Sequence, residues 1–242
     1  MYEERSKYNL YTNAFFHGYF KNGKLLEVKQ VINENVLNYI EGLIPKRDEF
    51  FSEIEAYAKE HEVPIMEVEG MEALLMLLRI HQPKKILEVG AAIGYSSLRM
   101  SDCLPDAKIV TIERDEERAT IAMQNIEKMG KTDSITLIIG DALEVDDLVK
   151  IHGPFDFIFI DAAKGQYRKF FENYSKFLNE KGIIVTDNVL FKGLVAAPKI
   201  ENRNVRQLVR KINEFNTWLM TNKTYDSVIL PVGDGMAISK KR

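Results

Sequence analysis

Residues 157–167 read FIFIDAAKGQY: four apolar residues run straight into a carboxylate, Asp161, followed by two alanines, Lys164 and a turn. Residues 182–191, GIIVTDNVLF, repeat the pattern, and their apolar run ends at Asp187 and Asn188. Near-continuous apolar runs of this length mark strands buried on both faces, as in parallel sheets covered by helices. The carboxyl ends of such strands are where open α/β sheets bind ligands.

The same rhythm extends in both directions. KKILEVG, KIVTIE and SITLIIGD are further short apolar runs upstream of FDFIFID. Between the runs lie the helical patterns YSSLRMSDCL, DEERATIAMQNIEKMG with Gly130 as its stop, LEVDDLVKI and YRKFFENYSKFL. Strands alternating with helices predict an α/β fold with a mostly parallel sheet and helices on both faces. A helix over Asn204–Thr221 follows. Then YDSVILPVGDGMAISKK reads as two strands around a Pro-Val-Gly-Asp-Gly turn, adding one antiparallel strand and bringing the sheet to seven.

Three helical patterns precede the sheet. Val31–Glu41 spaces Val31, Val36 and Ile40 on one face, and Arg47–His61 carries mixed charges. Met71–Ile80, MEALLMLLRI, is apolar nearly all round and so predicts burial. Residues 1–28 are aromatic, punctuated by Gly and Asn and without a sustained period, so they read as a separate N-terminal extension. Residues 29–242 read as a single domain.

The 242 residues are 45% apolar, enough for one core, and carry a net charge of −3. That balance excludes a protein coated in phosphate contacts but leaves room for a local basic patch. Cys103 is the sole cysteine, so there is no disulfide framework. It reads as a small buried core residue rather than a nucleophile, since no His or Asn pattern accompanies it. The start lacks the apolar segment of a signal peptide and nothing approaches a membrane span, so a cytoplasmic location is expected.

The first strand ends LEVGAAIGYSS, with Gly90 and Gly94 but no glycine between them. A G-x-G-x-x-G fingerprint needs that middle glycine to admit a pyrophosphate. This corner offers a tight turn beneath a ligand and a poor pyrophosphate cradle, which disfavours a nicotinamide dehydrogenase. Glu88 lies near the end of the first strand. Glu113 ends the second, where an acid can take two ribose hydroxyls. Asp141 ends the third, where its carboxylate and the Ala142 amide can meet an adenine edge. Each acid alone reads equally well as a helix cap. As a set they point to a nucleoside without a pyrophosphate, which suits S-adenosylmethionine.

Adjacent parallel strands lie about 5 Å apart, so Asp161 and Asp187 can share one cation, with Asn188 adding a carbonyl oxygen. A set of hard oxygens without His or Cys favours Mg²⁺ or a similar divalent cation over zinc. The competing reading has both aspartates capping the next helices. Lys164, three residues beyond Asp161, can take a proton or hold an oxyanion beside such a site. Tyr167 reads as packing, with a hydroxyl that can reach the cleft. Farther on, Arg203, Arg206 and Arg210 share a helix face, with Lys192 and Lys199 close in sequence. The stripe reads either as a grip on RNA phosphates or as a solvated face.

Taken together, PIMEVEGMEALL, LEVGAAIGYSSL, TIERD, GDAL, FIDAAKGQY and TDNVLF resemble the metal-dependent class I O-methyltransferases, the catechol and caffeoyl-CoA group. The likeness runs from about Pro64 to the C-terminus. It implies a Rossmann-like methyltransferase fold with extra N-terminal helices. It also implies that Met66, Ser96, Glu113, Asp141 and Ala142 contact S-adenosylmethionine, with Glu88, Gly90, Gly94 and Asp161 forming the same wall. Asp161, Asp187 and Asn188 would hold the metal, Lys164 would assist deprotonation, and a homodimer is expected, to which Phe15, Phe16 and Phe20 can contribute.

DAAKGQY, TDNVLFKGLV and PVGDGMAISKK are most similar to the bacterial branch that methylates 5-hydroxyuridine at the tRNA wobble position to 5-methoxyuridine. Gln166 and Phe191 replace the Asn and Trp usual in plant enzymes, which weakens the case for a phenylpropanoid. The implied partner is a tRNA anticodon loop. Two rivals remain: a small-molecule catechol or caffeoyl-CoA-type enzyme, and a non-catalytic RNA- or nucleotide-binding module. An intact Asp161, Lys164, Asp187 and Asn188 argues against the second.

Overall fold

The computed structural model describes residues 34–242. The extension at 1–28, with Phe15, Phe16 and Phe20, lies outside the described residues. So does the start of the helix expected from Val31.

Seven strands form one sheet: β1 (Lys85–Val89), β2 (Lys108–Glu113), β3 (Ile135–Ile139), β4 (Phe155–Ile160), β5 (Leu178–Thr186), β6 (Tyr225–Leu230) and β7 (Met236–Lys241). Their order is β3-β2-β1-β4-β5-β7-β6. The first five are parallel, and β7 runs antiparallel to both its neighbours, β5 and β6. The order reverses between β1 and β4, so a cleft opens above that junction.

The helices are α1 (Glu34–Leu43), α2 (Glu49–Glu60), α3 (Val68–His81), α4 (Tyr95–Cys103), α5 (Glu116–Lys128), α6 (Asp146–Lys150), α7 (Tyr167–Tyr174) and α8 (Arg203–Met220). Alternate residues of each central strand face opposite cores. Ile86, Phe157 and Phe159 meet Phe51 of α2, Leu74 and Leu78 of α3 and Leu98 of α4. Leu87, Ile158 and Ile160 meet Phe170 and Phe171 of α7 and Phe215 of α8. Burial on both faces is why these strands lack the alternation of a half-exposed sheet.

Several expectations need correction. α3 is not buried all round: Met71, Leu74, Leu75 and Leu78 are, but Met76 is 52% and Ile80 74% exposed. The helix lies on the outside of one sheet face, so only one of its sides meets the core. Val36 and Ile40 of α1 are exposed as well. Cys103 is partly exposed, with its thiol 3.7 Å from the Leu75 carbonyl. The pattern at 167–178 leaves the α-helix after Tyr174 and tightens into a 3-10 turn at Ser175–Phe177. β5 starts at Leu178 rather than Gly182, because its pairing with β4 resumes across a register shift between Phe155 and Phe157.

At the switch point β1 and β4 touch backbone to backbone. The Asp161 amide donates to the Val89 carbonyl at 2.9 Å. Gly90 has φ +105°, and a Cβ there would lie 2.0 Å from the Asp161 carbonyl oxygen. Beneath this corner Glu88 is fully buried. It accepts the Thr111 hydroxyl at 2.5 Å and the Ser96 hydroxyl as well. Burial pushes its carboxyl up to about 7, against the pull of those two hydroxyls.

Two outcomes follow for stability. Gly90→Ala combines a left-handed backbone with a main-chain collision, and should cost about 2 kcal/mol or more, read from the urea midpoint. Because the Glu88 carboxyl is raised on folding, its contribution is complete below about pH 4 and declines as pH rises through about 7. Glu88→Gln should therefore flatten the fall in stability between those limits in metal-free denaturant titrations.

Candidate active site

The first wall of the cleft comes from β1, β2 and β3. Glu113, the last residue of β2, accepts the Ala92 amide at 2.8 Å and the Arg114 and Asp115 amides at 2.9 Å each. It does not cap α5, whose N-cap is Asp115. Instead it ties β2 to the β1–α4 corner, where Ala92 takes a left-handed φ of 46°. Asp141 accepts the Leu143 amide through Oδ1 at 2.8 Å, while Oδ2 has only Arg114 at 4.0 Å. Ala142 is buried, and its carbonyl accepts the Tyr174 hydroxyl at 2.6 Å.

Gly94 takes the N-cap of α4 without a side-chain cap, which leaves first-turn amides open toward the corner. Ser96 is buried and spends its hydroxyl on Glu88. Met66 is buried in the core, its Cε 3.3 Å from where a Cβ on Gly70 would stand. This wall has a rigid carboxylate at β2, a half-exposed carboxylate after β3 and, at Ala92, a side chain where a dinucleotide turn would carry glycine. Those features fit the nucleoside of S-adenosylmethionine.

The second wall comes from β4 and β5. Ile160 pairs with Thr186, so Asp161 and Asp187 leave the sheet side by side. Neither caps a helix. The 3-10 turn at Lys164–Gln166 has Ala163 as its N-cap, and α7 has Gln166, both without a capping side chain. The 3-10 turn after Asp187, at Leu194–Ala196, has Gly193 as its N-cap, also without a capping side chain, so the cap reading fails for both. Asp187 is 3% exposed. Burial pushes its carboxyl up to about 8, with the negative charge of Asp161 adding to the rise. Asp161 is raised by burial too, with Lys164 opposing. Asn188 has a left-handed φ of 56°; its amide nitrogen donates to Asp187 Oδ2 at 3.1 Å, and its Oδ1 accepts from Lys164.

One group was not singled out from sequence. Asp234, in the β6–β7 turn, lies in the electrostatic field of Asp161, Asp187 and Lys164. Its location follows from topology: β7 runs antiparallel beside β5, so the turn preceding it falls at β5's carboxyl end. Reading PVGDG only as a turn missed this. Tyr167 packs, as expected, but its buried hydroxyl has no hydrogen-bond partner among the described residues. Burial and the charges of Asp161, Asp187 and Asp234 hold that hydroxyl protonated.

The donor set fits a hard divalent cation. Two mutually repelling carboxylates leave adjacent strands with the Asn188 amide beside them, its oxygen held by Lys164 and its nitrogen on Asp187. Among the described residues, no three His, Cys, Asp or Glu side chains form a metal cluster. A cation here would therefore rely on Asn188 as its third protein ligand.

The expected basic stripe is only partly assembled. A groove of about 890 Å³ runs along α8, lined by Arg168, Lys199, Arg206, Arg210 and Trp218 among others. The Arg168 guanidinium sits 5.0 Å from the Trp218 ring centre. Arg206 donates to the Ile200 carbonyl at 2.9 Å, and Arg210 pairs with Glu214 at 3.4 Å. Arg203 and Lys192 are exposed but do not line the groove. None of Asp161, Lys164, Asp187 and Asn188 lines the groove.

Residues 45–242 match the family described as O-methyltransferase. A catechol O-methyltransferase from Niastella koreensis is 32% identical over 218 residues, covering 86% of this chain and 97% of that protein. A Staphylococcus aureus structure, assigned provisionally as a caffeoyl-CoA O-methyltransferase, superposes with a TM-score of 0.78 at 35% identity, covering 86% of this chain and 98% of that one. A Bacillus cereus O-methyltransferase in complex with SAH (S-adenosylhomocysteine) gives 0.74 at 26%, covering 86% and 97%. The chain therefore belongs to the O-methyltransferase family, as an S-adenosylmethionine-dependent enzyme of the caffeoyl-CoA and catechol type.

Proposed function

We propose that the enzyme methylates a hydroxyl that has a second oxygen beside it, and that its substrate is 5-hydroxyuridine in a tRNA anticodon loop, giving 5-methoxyuridine. The observation that carries the chemistry is the pair Asp161 and Asp187, side by side after β4 and β5, capping nothing and flanked by Lys164. Asp161, Asp187 and Asn188 would hold a divalent cation such as Mg²⁺. When bound, the cation supplies Lewis acidity and S-adenosylmethionine supplies an electrophilic methyl group.

The remaining work falls to the chain. Lys164 would hold the oxyanion that forms when the substrate hydroxyl passes its proton to solvent. Glu113 and Asp141 orient the nucleoside of the cofactor, and the rigid strand ends fix the two reactants relative to one another. The 5-hydroxyl and neighbouring C4 carbonyl of 5-hydroxyuridine match the chelating geometry that two adjacent carboxylates imply. The α8 groove supports the RNA substrate: Lys199 and Arg206, with Arg168 and Arg210 able to exchange Glu172 and Glu214 for phosphates, suit a nucleic-acid backbone.

A second reading, methylation of a free catechol or a caffeoyl-CoA-type ester, is favoured by the names of the relatives. Both readings share the acids. Labelled S-adenosylmethionine with Mg²⁺, offered 5-hydroxyuridine-bearing tRNA and a catechol in parallel, separates them. We expect conversion of the tRNA, abolished by chelator, and a loss of about 100-fold or more in Asp161→Ala. Transfer to catechol alone would move the substrate to a small molecule. Full chelator-resistant activity in Asp161→Ala would remove the cation from the mechanism.

The groove makes its own prediction. Replacing Arg206 and Arg210 together with Ala should weaken tRNA binding and reduce the slope of log affinity against log salt by about 1 to 2. An unchanged slope in filter-binding titrations would make α8 a solvated face.

A further inference from the structure

We propose that Asp234 is a positioning residue. Its carboxylate, by accepting the Lys192 amide, locks the loop at 188–193 in the conformation that presents Asn188 beside Asp187. This rests on reading Asp161, Asp187 and Asn188 as the cation ligands.

The loop needs such a lock. Asn188, Phe191 and Lys192 have φ values of 56°, 46° and 53°, and Gly193 follows at 73°. A left-handed non-glycine residue is strained and persists only where its surroundings over-determine it. Here the surroundings come chiefly from the β6–β7 turn. The Val189 amide donates to the Gly235 carbonyl at 2.9 Å, and the Leu190 amide to the Asp234 carbonyl at 2.9 Å. The Lys192 amide donates to Asp234 Oδ1. From the other side, Asn216 of α8 donates to the Val189 carbonyl at 2.8 Å.

The turn is itself wedged. A Cβ on Gly235 would lie 2.3 Å from Leu190 Cγ and 2.8 Å from the Leu190 nitrogen, so turn and loop touch backbone to backbone. A Cβ on Gly233 would sit 3.5 Å from the Gly70 Cα and 3.5 Å from Glu67 Oε2, at the start of α3. The Thr186–Ala237 pairing fixes the turn's height against β5. Within this arrangement Asp234 supplies the side-chain contact to the far end of the loop. The carboxylate also lies in the field of Lys164 and Lys192. Clamp and charge are therefore separable: Asn keeps an acceptor at Oδ1 and loses the charge, whereas Ala loses both.

The test uses the full chain, its Asp234→Ala and Asp234→Asn variants, and two readouts besides turnover. One is Mg²⁺ and Mn²⁺ binding by calorimetry; the other is amide deuterium exchange across 188–193. We expect Asp234→Ala to bind either ion about 10-fold or more weakly, as for loss of an outer-shell partner. Its 189–192 amides should exchange faster, and the Mg²⁺ concentration for half-maximal activity should rise more than kcat falls. Asp234→Asn should restore exchange and ion affinity to within a few-fold of the parent. Parent-like exchange and affinity in Asp234→Ala would overturn the proposal. So would an Asp234→Asn variant as weak as Ala with the loop still protected, which would make charge the operative property. If the parent protein binds neither ion, the cation reading fails, and exchange at 189–192 alone decides the clamp.

Discussion

The molecule depends on one main-chain contact. The Asp161 carbonyl occupies the space a side chain on residue 90 would need, 2.0 Å from a virtual Cβ. That approach lets β1 and β4 run parallel to their last residues and then part, β1 toward α4 and β4 toward Lys164. Were the strands to separate earlier, Asp161 would rise away from Asp187 and the two walls of the cleft would lose their common edge. The glycine serves the ligand indirectly: it makes room for protein, and the protein makes the cleft.

Around that junction the chain handles its acids in two ways. Glu113 is met by three main-chain amides, so its negative charge is provided for before any ligand arrives. Asp187 is buried with another acid beside it and an amide nitrogen at 3.1 Å, so its charge is not provided for. The first arrangement makes a fixed acceptor suited to hydroxyl donors. The second makes a site that gains most from a cation. Carboxylates thus meet opposite surroundings on the two sides of the switch point, one suited to hydroxyl donors and the other to a cation.

Much of this was legible in sequence. Apolar runs closed by acids located the strands, their order in the chain and the positions of Asp161, Asp187, Glu113 and Asp141, because parallel strands buried on both faces leave a one-dimensional signature. What escaped was information carried by neighbours. The exposure of Met76 and Ile80 depends on what lies outside α3, which no periodicity records. Asp234 is 47 residues from Asp187 in number and joins it only because β7 is inserted beside β5. Helix spacing put Arg203 with Arg206 and Arg210, but the groove is closed by Arg168 and Trp218 from the α7–α8 packing.

The left-handed backbone at position 188 links ligand chemistry to mutational tolerance. Asparagine, aspartate and glycine enter that region most readily, and of these only the first two bring an oxygen. Aspartate would add another negative charge beside Asp161 and Asp187, already in the field of Asp234. With Asn188 as a cation ligand, as proposed, the options there are close to a single letter, and divergence of such a scaffold is channelled into the loops around it.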